Sequence, residues 1–240
     1  MKNNFFKIPF SLEEKLLLQD LEICMKSMWS DHFNQKDYDG KWTSISLRSA
    51  TGSETDIYSN PGVAEYSDTP LLQKCSYFQS VVDLFECEKE SIRLLSLAPG
   101  SNVKEHRDRG LGYRFGEFRL HIPIVTDAAV EFIVGGDNIP MEKGECWYAD
   151  FDLPHSVRND SERDRIHLVI DGKRNAWTDE LFAKAGYDFE EEKQKNDPPV
   201  ETKKQMIEQL RSMKTPTAEG MIRKLEMEIA ATLSANENAK

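Results

Sequence analysis

The sequence predicts a mainly β fold, a sandwich or barrel, with helical segments on both sides of it. Between residues 91 and 171, short apolar runs are separated by turn-forming residues such as Gly100 and Asn159-Asp160. Short strands at this spacing are typical of β sandwiches and barrels. Nearer both ends of the chain, apolar residues instead recur at intervals of three and four, and this period indicates amphipathic helices that pack on a core.

The first 90 residues are predicted to form an N-terminal helix with flanking strands that pack on the core. Ser11 and Glu14 have the spacing of a capping box, in which each side chain bonds the other residue's backbone amide at a helix start. An apolar stripe at helical spacing follows, and it consists of Leu17, Leu18, Leu21, Cys24, Met25 and Met28. The patterns predict three elements, which are a helix over residues 11–29, a strand over 42–47 and a short helix over 77–86.

Residues 91–175 are predicted to form the β core itself. Their apolar runs supply five strand candidates, which are residues 92–97, 118–125, 129–134, 145–148 and 165–171. Glycine-rich turns lie between these runs, for example at Gly135-Gly136 and Lys143-Gly144. The repeated order of short strand and turn is what indicates a sandwich or barrel.

Residues 176–240 are predicted to form a C-terminal helical region. A run of charges at 190–195 and the break Asp197-Pro198-Pro199 precede two helical patterns. The first covers residues 201–213, and the second begins at Thr215-Pro216, where a threonine N-cap and a proline in the first turn are typical of a helix start. These helices are candidates for capping a pocket, mediating a homodimer or recognising a peptide or carrier, although simple packing is the commonest use of such stripes.

Composition excludes several classes of function. The 240-residue chain has a net charge of −11 and an isoelectric point near 5.0, whereas nucleic-acid binding needs a basic surface. No segment is apolar enough to span a membrane, and the start of the chain lacks the apolar run of a signal peptide. The four cysteines show no Cys-x-x-Cys spacing, so neither a zinc knuckle nor a redox motif is indicated. We expect a cytoplasmic protein without nucleic-acid or membrane partners.

Four side chains in the β region predict a metal centre. His106 and Asp108 are two residues apart, so on a strand they would point to the same face. With His155 they supply two imidazoles and one carboxylate, a set that leaves open positions on the metal and suits non-haem Fe(II). Arg165 lies in an apolar strand, where a guanidinium needs an anionic partner. That partner is either a dicarboxylate co-substrate bound at two points or an acidic residue of the protein.

These residues are part of a series of motifs that resembles the aspartyl/asparaginyl β-hydroxylase family, whose domain is shared by bacterial free-proline hydroxylases. The resemblance covers about residues 90–175, and its motifs are His106-Arg-Asp108, Arg119-Leu-His121, Gly144-Glu-Cys-Trp147, Asp152-Leu-Pro-His155 and Arg165-Ile-His-Leu-Val-Ile-Asp171. It implies a double-stranded β-helix, the jelly roll found in cupins. It also implies that His106, Asp108 and His155 hold Fe(II). By the same resemblance, Arg165 binds 2-oxoglutarate, the co-substrate that is used together with O₂.

The resemblance assigns roles to further residues. Arg119 and His121 match the family's Arg-x-His on a central strand, which implies that both line the pocket and contact the co-substrate carboxylate or the metal site. Asp108 is a carboxylate where the mammalian protein hydroxylase of the family has glycine, and this places the chain nearer the bacterial, small-molecule branch. His167 is expected to play a packing role, and His32 is expected to be solvated in a polar turn.

The reaction that the resemblance implies is hydroxylation of a free amino acid, or of an aspartyl, asparaginyl or prolyl residue in a peptide, with release of succinate and CO₂. In the glycine-rich loop after Asp108, Tyr113 and Arg114 are expected to meet a substrate carboxylate, and an ordinary hairpin is the alternative. Two other functions stay open. A cupin-like metal isomerase or hydrolase would use the same three ligands without needing Arg165. A non-catalytic β-roll binding module would have no need for His106, Asp108 and His155 together.

Overall fold

The computed structural model describes residues 3–58 and 65–238, without the side chains of 234–238. The chain divides into two compact units, Met1–Tyr187 and Asp188–Lys240. The first unit includes strands from the first 90 residues, the β core and one helix after it, so it ends later than the predicted boundary at residue 175. Within the described ranges, no helix has the length and apolar character needed to cross a membrane.

The described strands all lie in the first unit and form two antiparallel sheets. They are β1 (Phe5–Ser11), β2 (Ser30–Asp31), β3 (Tyr38–Asp39), β4 (Trp42–Ser49), β5 (Ser67–Asp68), β6 (Lys89–Leu97), β7 (Ser101–His106), β8 (Glu117–Val125), β9 (Val130–Val134), β10 (Asp137–Asn138), β11 (Glu145–Ala149), β12 (His155–Asn159) and β13 (Arg165–Lys173). The larger sheet has the order β1-β11-β8-β13-β6-β4-β2, with β5 beside β4, and the smaller has the order β10-β9-β12-β7-β3.

Strands β6–β13 form a double-stranded β-helix. Their order is β11-β8-β13-β6 in one sheet and β10-β9-β12-β7 in the other, so the chain crosses between the sheets after every one of these strands except β9. This is the strand order of a jelly roll, and it confirms the predicted mainly β fold. Strands β1, β4 and β2 extend the larger sheet at its two ends, and β3 extends the smaller one.

The described helices flank the sheets and follow them in the chain. They are α1 (Glu14–Cys24), α2 (Ser76–Asp83), α3 (Ala176–Ala185), α4 (Phe189–Asn196), α5 (Val200–Met213) and α6 (Pro216–Asn238). Helices α5 and α6 begin within a residue of their predicted starts. Helices α3 and α4 lie in the predicted helical region, but they were not predicted as individual helices. Helix α3 begins at a capping box formed by Asn175 and Thr178, directly after the last strand.

Helix α1 is shorter than predicted at both ends, and the predicted capping box is wrong. Ser11 is the last residue of β1 and lies opposite Glu145 of β11, so it is held in the sheet. The helix begins at Glu14, and the amide of Glu13 donates instead to the phenol oxygen of Tyr77 at 2.7 Å. A side chain from α2 thus accepts the hydrogen bond of an amide at the helix start. The spacing of residues near the helix start does not reveal this distant partner.

The second unit consists of α4, α5 and α6. The break at residues 197–199 separates α4 from α5, as the sequence predicts. Lys203 on α5 forms ion pairs with Asp197 before it and with Glu228 on α6. The unit therefore holds its helices together with charges of its own, and its role in pocket capping, dimer formation or partner recognition stays a prediction.

An apolar cluster between the two sheets supports the site in the first unit. It includes Leu97 from β6, Val103 from β7, Phe132 from β9 and Val157 from β12, all of them buried. Because side chains alternate along a strand, Arg93 lies on the same face of β6 as Leu97. Polar residues on this inward face are removed from water, so each needs a partner in the protein or in a ligand.

Candidate active site

His106, Asp108 and His155 lie together where β7 ends and β12 begins. The register of the two strands puts His155 directly opposite His106, and Asp108 follows shortly after the end of β7. One donor atom from each residue lies within 4.8 Å of the other two. His155 is the first residue of β12. Strands β7 and β12 are distant in the sequence and become neighbours only in the folded sheet. Their pairing therefore brings these side chains into one cluster.

Hydrogen bonds to the backbone fix the tautomer of both histidines. Nδ1 of His106 lies 2.8 Å from the carbonyl oxygen of Lys104, and Nδ1 of His155 lies 3.0 Å from that of Leu153. A carbonyl only accepts, so in both rings Nδ1 carries the proton and donates it. Nε2 of each ring then has a free lone pair, the form in which histidine binds a metal. Burial lowers the pKa of His155 to about 4, which keeps this ring neutral at physiological pH.

Asp108 offers one carboxylate oxygen to the same point. Its Oδ2 accepts a hydrogen bond from Nη1 of Arg119 at 2.8 Å, and its Oδ1 lies 3.8 Å from Nε2 of His106. Arg119 therefore occupies one oxygen and leaves the other for a ligand bond. Two neutral imidazoles and one carboxylate on one side of a cation, with the remaining positions open, fit Fe(II) and related divalent metals.

Arg165 is a buried cation that lacks an acidic partner in the described part of the chain. Its side chain is 3% exposed, and its Nη2 donates to Nδ1 of His167 at 2.7 Å. Its guanidinium carbon lies 5.2 Å from the centre of the Phe132 ring, and its Nε has no hydrogen-bond partner among the described residues. Burial lowers the pKa of Arg165 to about 9, so it stays mostly protonated at neutral pH. An anion from outside the protein is the partner that this geometry favours.

His167 and His121 continue from Arg165 as a chain of neutral rings. Because Arg165 can only donate, Nδ1 of His167 accepts, and its ring proton lies on Nε2. Nδ1 of His121 lies 3.3 Å from the same nitrogen, whose one lone pair already accepts from Arg165. Neither Nε2 has a partner among the described residues. Burial, followed by the charge of Arg165, lowers the pKa of both rings well below the usual range.

Arg119 has acidic partners of its own. Nη1 binds Asp108, while Nε and Nη2 bind the two oxygens of Asp171 at 2.6 and 3.0 Å. All three nitrogens of the guanidinium thus contact carboxylates of the protein. The resemblance implied that Arg119 contacts the co-substrate carboxylate or the metal site; the geometry favours the second, because Arg119 acts on the proposed ligand Asp108.

A cavity of about 280 Å³ contains these groups. Its wall includes the three clustered side chains, Arg165 and His121, together with residues that the sequence did not indicate: His32, Trp42, Arg109, Glu117 and Phe151. His32 was expected to be solvated, but it is 8% exposed and stacks on Trp42 with the ring centres 3.5 Å apart. Trp42 lies opposite Leu97 of β6, and such a long-range strand pairing has no local signal in the sequence.

The predicted substrate residues Tyr113 and Arg114 do not line the cavity. Tyr113 is fully buried, and its ring stacks on Phe182 of α3 with the centres 3.8 Å apart. Arg114 forms an ion pair with Asp152 at 2.9 Å. The structure therefore corrects this prediction, because α3 packs against the loop and takes up the tyrosine. Arg109 is the arginine of this loop that lines the cavity.

We expect Tyr113→Phe to destabilise the protein without weakening substrate binding. The hydroxyl of Tyr113 contacts Oγ1 of Thr178 at 2.9 Å and Oδ1 of Asp179 at 2.7 Å. Its loss should lower the free energy of unfolding by about 1–3 kcal/mol, while the KM for substrate should not change. Denaturant titration and steady-state kinetics measure the two effects. A large rise in the KM for substrate at unchanged stability would instead show that Tyr113 contacts the substrate.

A family model covers more than half of the chain. The model for aspartyl/asparaginyl β-hydroxylases matches residues 13–175. Among curated proteins, an L-proline cis-4-hydroxylase from Rhizobium meliloti (strain 1021) is 28% identical over 183 residues, which are 73% of this chain and 62% of that protein. The match thus spans less than two thirds of that relative's length.

Two solved structures are similar at a low level. An oxidoreductase of the 2OG-Fe(II) oxygenase family from Burkholderia pseudomallei is 13% identical with a TM-score of 0.48, and the match covers 66% of this chain and 79% of that one. A prolyl-4-hydroxylase from Pseudomonas putida is 12% identical with a TM-score of 0.45, and the match covers 72% of this chain and 94% of that one. At these values neither structure bears on the function of this chain.

Proposed function

This chain belongs to the aspartyl/asparaginyl β-hydroxylase family, and we propose that it is an Fe(II)- and 2-oxoglutarate-dependent dioxygenase that hydroxylates a small amino acid. One observation supports this proposal best. The free donor atoms of His106, Asp108 and His155 share a cavity with the buried guanidinium of Arg165, which has no acidic partner in the described chain. A divalent metal suits the first group, and a dicarboxylate co-substrate suits the second.

The proposal gives each part of the site a separate task. The cluster of two histidines and Asp108 holds Fe(II) through two Nε2 atoms and one carboxylate oxygen. Bound Fe(II), with 2-oxoglutarate and O₂, supplies the oxidant that hydroxylates a C–H bond and leaves succinate and CO₂. Arg165 binds the distal carboxylate of 2-oxoglutarate in two-point contact, and its bond to His167 keeps the guanidinium in place. His121 and His167 are neutral, so neither adds a second positive charge beside Arg165.

We propose that the substrate is a free amino acid rather than a peptide. Co-substrate and substrate would share a cavity of about 280 Å³, which suits small molecules. Its wall includes a cation, Arg109, and an anion, Glu117, and this pair can hold the carboxylate and ammonium groups of an amino acid. The relative that is 28% identical is an L-proline cis-4-hydroxylase, so proline and its analogues are the first compounds to test.

Oxygen-dependent release of succinate tests the function and the substrate class together. The protein is loaded anaerobically with Fe(II) and 2-oxoglutarate and then given O₂ with free amino acids, or with short peptides that contain Pro, Asp or Asn. We expect a free amino acid to stimulate succinate release. Stimulation by peptides alone would overturn the substrate proposal. A protein that lacks affinity for either Fe(II) or 2-oxoglutarate would overturn the proposed dioxygenase function.

Asp108→Ala should abolish turnover while the protein stays folded. Changing residues that only support a metal ligand typically costs about 10–100-fold, so losing a ligand should lower succinate release by more than about 100-fold. Asp137→Ala, which removes an exposed carboxylate in β10, is the matched control and should behave as the wild type. Circular dichroism checks that both variants are folded. Equal turnover in the two variants would remove Asp108 from the proposed ligand set.

The two alternative functions make different predictions in the same assay. A cupin-like isomerase or hydrolase would convert its substrate without consuming O₂, and it would tolerate the loss of Arg165. A non-catalytic binding module would bind its ligand equally well after Asp108→Ala. The family membership and the unpartnered Arg165 in the described cavity both favour the dioxygenase.

A further inference from the structure

Asp171 on β13 is a buried acid that lies behind the metal-binding cluster and is not part of it. It is 1% exposed. Its carboxylate accepts hydrogen bonds from Ser91 at 2.8 Å and from Arg93 at 2.9 Å, besides the two from Arg119. Burial alone would raise the pKa of Asp171, but Arg119 and Arg93 lower it to about 2. The carboxylate is therefore ionised at physiological pH.

Arg119 connects Asp171 to the proposed ligand Asp108. Nε and Nη2 bind the two oxygens of Asp171 as a fork, and two parallel bonds fix the plane of the guanidinium. In this orientation Nη1 reaches Oδ2 of Asp108. Burial disfavours the charged guanidinium, yet the two acids raise the pKa of Arg119, so the connection stays ionic. With Arg93, these residues form a group of two cations and two anions.

We propose that Asp171 is a positioning residue for the metal site: through Arg119 it holds Asp108 so that only Oδ1 faces the metal. This inference rests on the function proposed above. His106 and His155 are each oriented by a backbone carbonyl, whereas Asp108 is oriented by the guanidinium of Arg119. Without the fork, Arg119 can turn, and Asp108 can then present either oxygen or both.

A purely structural role for Asp171 makes a different prediction. In that case, substituting Asp171 would lower the stability of the protein but leave the metal affinity of the folded molecules unchanged. Positioning through Arg119 instead predicts weaker metal binding by folded protein. It also predicts that substitutions at 171 and 119 are not additive, because both break the same connection.

Titration of metal-free protein with Co(II) tests the inference, because the visible absorption of bound Co(II) reports both its affinity and its coordination. The samples are wild type, Asp171→Asn, Arg119→Lys and the double variant. Asparagine has one acceptor and cannot complete the fork, and lysine keeps the charge but cannot bridge two acids. We expect each single variant to bind Co(II) about 10–100-fold more weakly, with changed absorption. The double variant should bind no more weakly than Arg119→Lys.

Ser91→Ala is the matched control, since it removes another hydrogen bond to Asp171 and leaves the fork intact. It should bind Co(II) as the wild type does. Additive losses in the double variant, or equal weakening by Ser91→Ala, would overturn the inference. If Asp171→Asn does not fold, the Arg119→Lys variant tests the inference instead. Co(II) affinity equal to that of the wild type in Arg119→Lys would then overturn the positioning role. Wild type that binds no Co(II) overturns the proposed function itself, whereas equal binding by wild type and folded Asp171→Asn overturns only the positioning role.

Discussion

Arg165→Met is expected to stabilise the metal-free protein and, in the same molecule, to abolish binding of 2-oxoglutarate. In the free protein, Arg165 is a buried charge with no acidic partner in the described chain. Methionine fills a similar volume without the cost of desolvating a cation, so the free energy of unfolding should rise by about 1–4 kcal/mol. When 2-oxoglutarate binds, the substitution removes two charge-assisted hydrogen bonds of about 1.5–3 kcal/mol each. The Kd should therefore rise by at least about 100-fold.

Arg163→Met is the matched control for this prediction. Arg163 is exposed and precedes β13, so the same chemical change there should alter neither stability nor affinity. Denaturant titration gives the first quantity, and calorimetric titration with 2-oxoglutarate of protein loaded anaerobically with Fe(II) gives the second. A less stable Arg165→Met variant with normal affinity for 2-oxoglutarate would identify Arg165 as a structural cation. It would also remove the main support for the proposed co-substrate.

Strands with a local apolar pattern could be predicted from the sequence, and polar strands could not. Strands β6, β8, β9, β11 and β13 lie within a few residues of their predicted bounds, because each is an apolar run that faces the core. Strands β7 and β12 read Ser-Asn-Val-Lys-Glu-His and His-Ser-Val-Arg-Asn. They are strands because they pair with each other and β12 also pairs with β9. Pairing between distant segments leaves no local pattern to detect.

The proposed ligands could be predicted because their residue types and order have a known chemistry. The family motif also indicated Arg119 as a pocket residue, but it did not indicate the contact of Arg119 with Asp171. These two residues meet because β13 pairs with β8 in a register that puts one opposite the other. Tyr113 was wrongly assigned to the substrate site for a related reason. The hydroxyl of Tyr113 contacts Thr178, which lies 65 residues later in the chain and could not be recognised as its partner from the sequence. Sequence motifs thus identify the chemical groups, while strand pairing decides which of them are free to bind a ligand.

The protein is expected to lose stability as the pH falls below about 6.5. Burial lowers the pKa of His32 to about 3 and the pKa of His121 and His167 well below the usual value of 6.5. These rings are neutral in the folded protein, but in the unfolded chain they bind protons near pH 6.5. The unfolded state therefore takes up more protons, so stability that is complete above that pH is lost below it. Each ring should cost about 1 kcal/mol between about pH 6.5 and 5.5, or roughly 3 kcal/mol together, against a usual total of about 5–15 kcal/mol.

Denaturant titrations of the metal-free protein at about pH 7.5, 6.5 and 5.5 measure this loss. His155, whose pKa is also lowered to about 4, adds to it when no metal is bound. His32→Phe is the control variant, because phenylalanine keeps a ring against Trp42 but takes up no proton, and it should reduce the loss by about 1 kcal/mol. Asp171, with a pKa of about 2, titrates far below this interval and does not mask the effect. Equal stability at all three pH values would mean that His121 and His167 are not held neutral by burial.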